Sequence, residues 1–415
     1  MAEPDPEWSQ LPTELLHLMS QYLSVTDLLR FRSVCSTWRS AIPPPVPAAN
    51  GRFPILPSHS ISDTAWGFYL SKRTMYSLQS PSNETEIKSW IVKLERDNPN
   101  RMHLVHPLTR SVFKLLPDNF PKCFSFLNLR IKELGHEYTL QYINFSPLAN
   151  SIGEAGNLYM EKVAVCLDFL GDEKNGFVLL TIHVSGKLVI YKSGDKKWTV
   201  INDLPSPYDD VIFREERFYA IDSTGRTVVV NLDEGGSPSV NVVAHSIFGG
   251  DKKFLVDSFG DLLLVDKYLS VGLEDDLEYI DEFDLSEEFD CYTSERTVKF
   301  KVFRLDENAE KWVEVTNLGD KLLFLGDNCT FSASASEVFG DNGCKGNCIF
   351  FTDQFFSGRE DDWLWKSRGI GVFDLESGSI GPIDSRDGYS DMFWPPPAWV
   401  CSNVSVEAEL ERLAI

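Results

Sequence analysis

Two cysteines and two histidines are the residues whose types could bind a metal ion. Cys344 and Cys348 are four apart in the segment CKGNC, and His103 and His106 are three apart. A structural zinc site takes four such ligands, usually from two cysteine pairs or from one pair with two histidines. The histidines lie far earlier in the chain, and no second cysteine pair lies near. We therefore expect no metal site and interpret CKGNC as a tight turn before a buried strand.

Other catalytic patterns are incomplete. Gly369-Ile370-Gly371 lacks the third glycine and the strand-to-helix setting of a dinucleotide loop. The sequence contains no Gly-x-Ser-x-Gly elbow and no phosphate-binding loop. Carboxylates are abundant, but their spacing does not single out a catalytic pair. We therefore predict no catalytic residues and no cofactor.

A binding surface is better supported, and the elements that would position it begin with residues 8–42 (WSQLPTELLHLMSQYLSVTDLLRFRSVCSTWRSAI). Leu11-Pro12 predicts a helix start, because proline suits the first helical position. One wide apolar helical face follows, at spacings of one, three and four: Leu15, Leu16, Met19, Tyr22 and Leu23. Ser24 and Asp27 then predict a new helix start. Two more short helices end at the prolines of residues 43–45.

A three-helix unit of about 35 residues is shorter than a chain usually needs to form a stable core by itself. Exposed apolar surface on such a unit favours a partner interface. One alternative is a helical subdomain that folds back on the rest of the chain. Another is a DNA-binding domain, but only Arg30, Arg32 and Arg39 are available for it, and a net charge of -23 opposes phosphate binding.

The segments LPTELL and DLLRFRSVCSTWRS resemble an F-box, a motif that binds a Skp-type adaptor and through it a cullin scaffold. The resemblance implies that the motif's matching residues form the adaptor-binding site: Leu11, Pro12, Leu15, Leu16, Leu23, Leu28, Leu29, Val34, Cys35 and Trp38. Among them, Leu11, Pro12, Leu15 and Leu16 are expected at the adaptor surface. Val34 and Trp38 are expected to pack the motif and its contact with the adaptor.

Composition limits the other partners. The chain has 415 residues, with 62 acidic against 39 basic side chains. This excess of negative charge argues against nucleic acid and anionic membranes as main partners. The eight cysteines are scattered and the first ten residues are acidic and polar, so we expect reduced thiols and no secretory leader. The expected location is the nucleus, the cytoplasm or both.

Residues 43–60 are rich in proline and alanine and predict a semi-rigid linker. Residues 61–400 predict a β domain, and residues 401–415 a tail. The first expected strands are a hairpin of residues 66–70 and 74–78, then 89–94, 102–105, 112–116 and 138–145. A unit of strand, glycine turn, strand and Trp-containing strand then recurs, with copies that begin at residues 176, 217, 254 and 321.

Short strands in imperfect repeats of about 40–55 residues are typical of propeller blades. The predicted fold is therefore a small all-α N-terminal unit of three helices, followed by a large all-β domain that is a β-propeller of five to seven blades. A β-sandwich array explains the strands but not the recurring order of turn and tryptophan.

The segments of residues 300–353 and WPPPAW at residues 394–399 resemble the kelch-like C-terminal domain of a plant F-box family. The resemblance implies a non-catalytic, substrate-recognition subunit of a Skp–cullin–F-box ubiquitin ligase, whose propeller binds an unknown target protein. The alternatives are an interaction scaffold outside a ligase and, with less support, a propeller enzyme.

Residues 274–290 (EDDLEYIDEFDLSEEFD) form an acidic insertion with interleaved apolar residues. One interpretation is a solvated loop between two strands. The other is a contact for a basic partner surface.

Overall fold

The computed structural model describes most of the chain. The described residues are 8–20, 22–23, 28, 31–32, 34–42, 53–58, 60, 67–79, 89–98, 101–110, 112–113, 116, 120, 129–142, 160–167, 176–202, 206–232, 238–273, 293–339, 345–353, 369–385, 389, 392–394 and 396–402. The acidic insertion and Leu29 lie outside them.

The N-terminal unit is helical. A 3₁₀ turn, Trp8–Gln10, leads into helix α1, Thr13–Ser20, and helix α2 is Ser36–Ala41. Between them, Leu28, Phe31 and Arg32 have helical backbone, and residues 29, 30 and 33 lie outside the described part. Cys35 caps α2, because its Sγ accepts a hydrogen bond from the Trp38 backbone N at 3.5 Å.

The regular secondary structure in the rest of the described chain is almost entirely β-strand. The first eight strands are hydrogen-bonded in the order β3-β2-β1-β4-β5-β6-β7-β8. Their bounds are β1 Phe68–Gln79, β2 Ser89–Asn98, β3 Arg101–Val105, β4 Arg130–Tyr142, β5 Met160–Leu167, β6 Phe177–His183, β7 Leu188–Lys192 and β8 Thr199–Val200. A single register pair, Tyr138 with Val163, joins β4 to β5, so this sheet is two four-stranded blades that touch at their inner strands.

Three further sheets follow. The third blade has the order β12-β11-β10-β9, the fourth β13-β14-β15-β16 and the fifth β18-β17-β19-β20-β21. Their strands are β9 Tyr208–Arg214, β10 Arg217–Asp222, β11 Thr227–Asn231, β12 Ser239–Ala244, β13 Lys252–Ser258, β14 Asp261–Leu273, β15 Thr293–Asp306, β16 Lys311–Val315, β17 Lys321–Leu325, β18 Thr330–Ser334, β19 Cys348–Thr352, β20 Ile370–Asp374 and β21 Ile380–Pro382. Short helices α3, Ala335–Phe339, and α4, Ala398–Ser402, and a 3₁₀ turn, Ile383–Ser385, complete the fold.

The five blades that the described residues form close into a ring. Their inner strands are β4, β5, β9, β13 and β18, and each contacts the next, with β18 returning to β4. The architecture is a β-propeller, as predicted.

One apolar core fills each gap between neighbouring blades. In the third blade, Phe218 and Ala220 face the second blade, whereas Tyr219 and Ile221 face the fourth. Side chains alternate along a strand, so a strand between two cores must be apolar on both faces. This explains the uninterrupted apolar runs in the sequence.

Two expectations about the start of the β domain are wrong. The predicted hairpin of residues 66–70 and 74–78 is one continuous strand, β1, which pairs with both β2 and β4. The second part of the predicted linker is part of the propeller: Leu56 bridges Phe68 and is fully buried, and the Trp198 Nε1 donates to the Pro57 carbonyl at 2.6 Å.

Candidate docking surface and propeller centre

The helical unit is organised by a core of four buried side chains: Leu16, Phe31, Trp38 and Ile42. The rings of Phe31 and Trp38 lie 4.3 Å apart. The Trp38 Nε1 donates to the Trp8 carbonyl at 2.9 Å, which ties the start of the unit to α2. The Arg39 Nε donates to the Arg32 carbonyl at 3.2 Å. This small core holds α1 in place and leaves its other face outward.

The outward face of α1 and its flanks carry large apolar side chains, which we call the docking surface. Its members are 45–83% exposed: Trp8, Leu15, Leu18, Met19, Tyr22 and Val34. Such a set on so small a unit is characteristic of a surface that another protein covers.

The structure places the predicted adaptor-binding residues in two groups. Leu15, Pro12 and Val34 are exposed. Leu16 and Trp38 are buried, and Leu11, Leu23, Leu28 and Cys35 pack partly buried against them. The expectation that Leu16 lies at the surface does not hold, because α1 turns it into the core. Val34 is 57% exposed, so its expected role in the contact with the adaptor stays a prediction. Adaptor binding by any of these residues stays a prediction.

Four members of the docking surface are absent from the predicted adaptor-binding set: Trp8, Leu18, Met19 and Tyr22. The last three follow a second apolar face, whereas the spacing predicts one wide face. Leu18, Met19 and Tyr22 follow Leu15 by three, four and seven positions. That spacing describes an apolar face of its own, beside the face of Leu16 and Leu23. Two overlapping apolar stripes on one short helix are the signal that one stripe is for the core and the other for a partner.

The centre of the propeller holds a polar cluster built around Lys162 on β5. Its Nζ donates to the Asp210 Oδ2 on β9 at 3.0 Å, to the Thr330 Oγ1 on β18 at 2.8 Å and to the Leu255 carbonyl on β13 at 3.4 Å. All three ammonium hydrogens therefore have acceptors. One side chain connects the inner strands of four blades.

Two consecutive aspartates on β9 complete this connection. The Asp210 Oδ2 accepts from the Leu255 backbone N at 2.7 Å, and the Asp209 Oδ2 accepts from the Lys253 backbone N at 2.9 Å. Burial raises the pKa of Asp210, although Lys162 and the backbone donors oppose the rise. Burial also raises the pKa of Asp209, to about 6. These carboxylates act as inter-blade acceptors.

A second buried charged cluster lies between the first and fifth blades. The Lys93 Nζ is 3.1 Å from the Glu137 Oε1, and the Arg73 Nε is 2.9 Å from the Glu95 Oε2. Burial and the nearby Lys93 lower the pKa of His106 to about 3, so this imidazole is neutral at physiological pH. Its Nδ1 accepts from the Leu108 and Thr109 backbone N atoms. These groups are enclosed by protein, which fits a structural role.

The other chemically suggestive segments form ordinary structure where they are described. Cys348 is buried at the start of β19, and Cys344 lies outside the described residues. Among the residues described, no three His, Cys, Asp or Glu side chains are grouped to hold a metal ion. No helix in the described part is long and apolar enough to cross a membrane.

The chain therefore belongs to the class of proteins in which a small helical unit with an outward apolar face precedes a β-propeller. Residues 8–44 match the family model described as F-box-like, and residues 67–374 match the one described as KIB1-4 beta-propeller.

Full-length relatives agree with this assignment. F-box protein SKIP23 of Arabidopsis thaliana is 45% identical over 414 residues, covering 97% of each chain. F-box protein At2g17036 of the same plant is 37% identical over 413 residues, covering 97% of this chain and 96% of that one. The putative F-box/kelch-repeat protein At5g24040 is 27% identical over 407 residues, covering 96% and 99%. The chain belongs to the family of F-box proteins that carry a KIB1-4 β-propeller.

Proposed function

We propose that this protein is the substrate-recognition subunit of a Skp–cullin–F-box ubiquitin ligase. The docking surface binds a Skp-type adaptor, and through it a cullin, while the propeller binds a target protein. The chain brings the target close to the ubiquitin-conjugating enzyme and supplies no catalytic group of its own.

The observation that carries the proposal is the division of α1 into two apolar faces. Leu16 has no exposed surface, whereas its neighbour Leu15 is 47% exposed and Leu18 51% exposed. Leaving two leucines that are neighbours on one helix face exposed to water costs free energy unless a partner covers them. The buried face keeps the unit folded, and the exposed face is left for the adaptor.

The propeller supports the second half of the proposal. Its blades are packed by five apolar cores and its centre is tied by Lys162, so the ring is a rigid scaffold. Rigid scaffolds that present loops are common binding modules.

The test is binding of the purified full-length chain to a purified Skp-type adaptor, measured by calorimetry. The informative variant is Leu15→Asp with Leu18→Asp, because both side chains are exposed and the core residue Leu16 is left intact. We expect saturable binding by the native chain and at least about a hundredfold weaker binding by the variant, since two interface leucines are replaced by charges. Val184→Asp is the matched control, because Val184 is 63% exposed on the propeller.

Three results separate the possibilities. No binding by the native chain at micromolar concentrations refutes the adaptor assignment. Equal loss in the Val184 control would show that the effect is not specific to α1. Adaptor binding without recruitment of a cullin to the complex would favour an interaction scaffold outside a ligase.

A further inference from the structure

Among the described strands, none is shared between the two ends of the ring where they meet. Within the described residues, the first blade contains only β1 to β4 and the fifth only β17 to β21. No sheet in this part of the chain combines strands from both ends, so ladder hydrogen bonds do not hold the first and fifth blades together. The junction must be closed by other contacts.

Loop contacts supply part of the closure. The Asp327 backbone N donates to the Leu108 carbonyl at 2.8 Å, and the Arg110 Nε donates to the Asn328 Oδ1 at 2.9 Å. A Cβ at Gly326 would lie 2.6 Å from the Leu108 carbonyl oxygen, so glycine permits this close approach. Side chains of the first blade also reach α3: Gln79 and Ser89 donate to the carbonyls of Glu337 and Val338, and Lys132 pairs with Glu337. The rest of the junction is an apolar core.

The C-terminal segment fills that core. Met392 and Phe393 are essentially fully buried, and they lie in the same apolar cluster as Met75 and Ile91 of the first blade and Phe350 of the fifth. The ring centroid of Phe393 is 6.1 Å from that of Phe350. Tyr389 adds a hydrogen bond from its hydroxyl to the Lys345 carbonyl at 2.7 Å. This part of the segment therefore lies between the two blades.

The next residues pack on the opposite face of the first blade. Trp394 and Val400 are buried against Leu78, Trp90 and Val92. Met75 and Ile91 have odd positions in β1 and β2, whereas Leu78, Trp90 and Val92 have even ones, so the two sets face opposite sides of the sheet. Consecutive residues of the segment thus contact both faces of one blade.

A series of aromatic rings links the two contacts. Phe393 stacks on His106 with centroids 6.5 Å apart, and Trp394 stacks on Phe113 at 4.2 Å. The rings of His106 and Phe113 are themselves 6.1 Å apart. The first blade therefore provides an aromatic site shaped around the two adjacent rings of the segment.

We propose that the described residues of the C-terminal segment (389, 392–394 and 396–402) form a C-terminal clasp, which closes the propeller in place of a shared strand and occupies a peptide-binding site on the first blade. The clasp lies beyond residue 374, where the match to the propeller family ends. The contacts of its described residues with the blades are noncovalent, so the same site accepts the segment as a separate peptide. This inference does not depend on the proposed ligase function.

The test is trans-complementation. A chain that ends at residue 385 lacks the clasp, and a chain that ends at residue 402 is the matched control. We expect the shorter chain to unfold about 10 °C lower, because several buried aromatic side chains are removed. Its Ser89–Asn98 amides should exchange at least about tenfold faster, whereas those of Arg217–Asp222 in the third blade should be unchanged. A peptide of residues 389–402 should bind and reverse both effects, and a scrambled peptide should not.

The proposal is overturned if the shorter chain matches the control in melting temperature and exchange, or if the peptide neither binds nor restores protection. If the shorter chain does not fold, full-length Phe393→Ala with Trp394→Ala decides the question. Faster exchange confined to the first blade and its junction with the fifth supports the clasp. Equal acceleration in all blades, or none, refutes it.

Discussion

The contact most open to a quantitative test is the one that Lys162 makes across the centre of the propeller. Lys162→Met keeps a long side chain but removes the ammonium that joins β5 to Asp210, Thr330 and Leu255. The Lys162 side chain is 13% exposed and that of Asp210 is 3% exposed. The substitution therefore leaves a carboxylate buried without its counter-charge.

The expected magnitude follows from what remains around Asp210. Removing one member of a buried ion pair typically destabilises a protein by about 3–5 kcal/mol. Asp210 retains two backbone donors, Leu255 N and Val211 N, each at 2.7 Å. Because these donors stabilise the carboxylate, we expect the lower end, a loss of about 3 kcal/mol.

The assay is urea unfolding of the full chain followed by tryptophan fluorescence, with a double-mutant cycle. Lys162→Met, Asp210→Asn and the double variant are compared with the native chain. The double variant buries no unpaired charge, so it should be more stable than Lys162→Met alone. We expect a coupling free energy of about 2 kcal/mol between the two residues.

The pH dependence gives an independent check. Burial already raises the pKa of Asp210, and loss of the ammonium raises it further. A folded-state pKa above the unfolded value means that the native state holds the proton more tightly, so stability is lost as pH rises between the two values. The loss of stability caused by Lys162→Met should therefore be largest near pH 7 and smaller at pH 5. A loss below about 1 kcal/mol with no coupling would refute the central role of Lys162.

Three further predictions concern single residues. Leu16→Ala should destabilise the helical unit by about 2–5 kcal/mol, whereas Leu15→Ala should change it by less than about 0.5 kcal/mol, as measured by hydrogen exchange of the α1 amides. Phe259 has a φ of +50° before a glycine, so Phe259→Asn should raise the free energy of unfolding in urea by about 0.5–1 kcal/mol. The pKa of Asp209 is raised by burial to about 6, so its contribution to stability falls as pH rises from about 4 to 6. Asp209→Asn should remove that fall, which unfolding curves across this pH range would measure.

Each of these has an opposing outcome. Equal exchange in the two leucine variants would mean that α1 does not separate a core face from an outer face. A loss of stability in Phe259→Asn would show that the contact between the Lys321 Nζ and the Phe259 ring, 5.8 Å apart, outweighs the backbone strain. If the stability of Asp209→Asn depended on pH in the same way as that of the native chain, the native Asp209 carboxylate would be solvated and its pKa would not be raised.

The sequence predicted the elements well where one local pattern decides them. The runs at residues 217–221 and 227–230 became β10 and β11, and those at 321–325 and 348–351 became β17 and β19. The prediction of strand bounds failed where pairing with neighbouring strands decides them. Residues 66–78 contain a polar Ser71-Lys72-Arg73 that suggests a turn, yet Arg73 is buried because Glu95 and Glu137 on neighbouring strands pair with it.

The candidate site shows the same division. The leucine spacing of α1 identifies an apolar helix, but it does not say which stripe faces Trp38 and Phe31. That choice depends on where residues 31–42 fold back, a contact between parts of the chain that local spacing does not encode. Likewise, Leu56 belongs to the propeller only because Phe68 lies opposite it.

The sequence by itself determined the helical unit, the β-rich class and the absence of a strong catalytic motif, because these depend on residue type and short-range spacing. Only the tertiary structure decided that Leu16 is buried and Leu15 is not, that Lys162 meets Asp210 and Thr330, and that Phe393 and Trp394 contact both faces of the first blade. The physical reason is that burial and ion pairing depend on distance in space. Closing the ring brings together residues that are far apart in the chain.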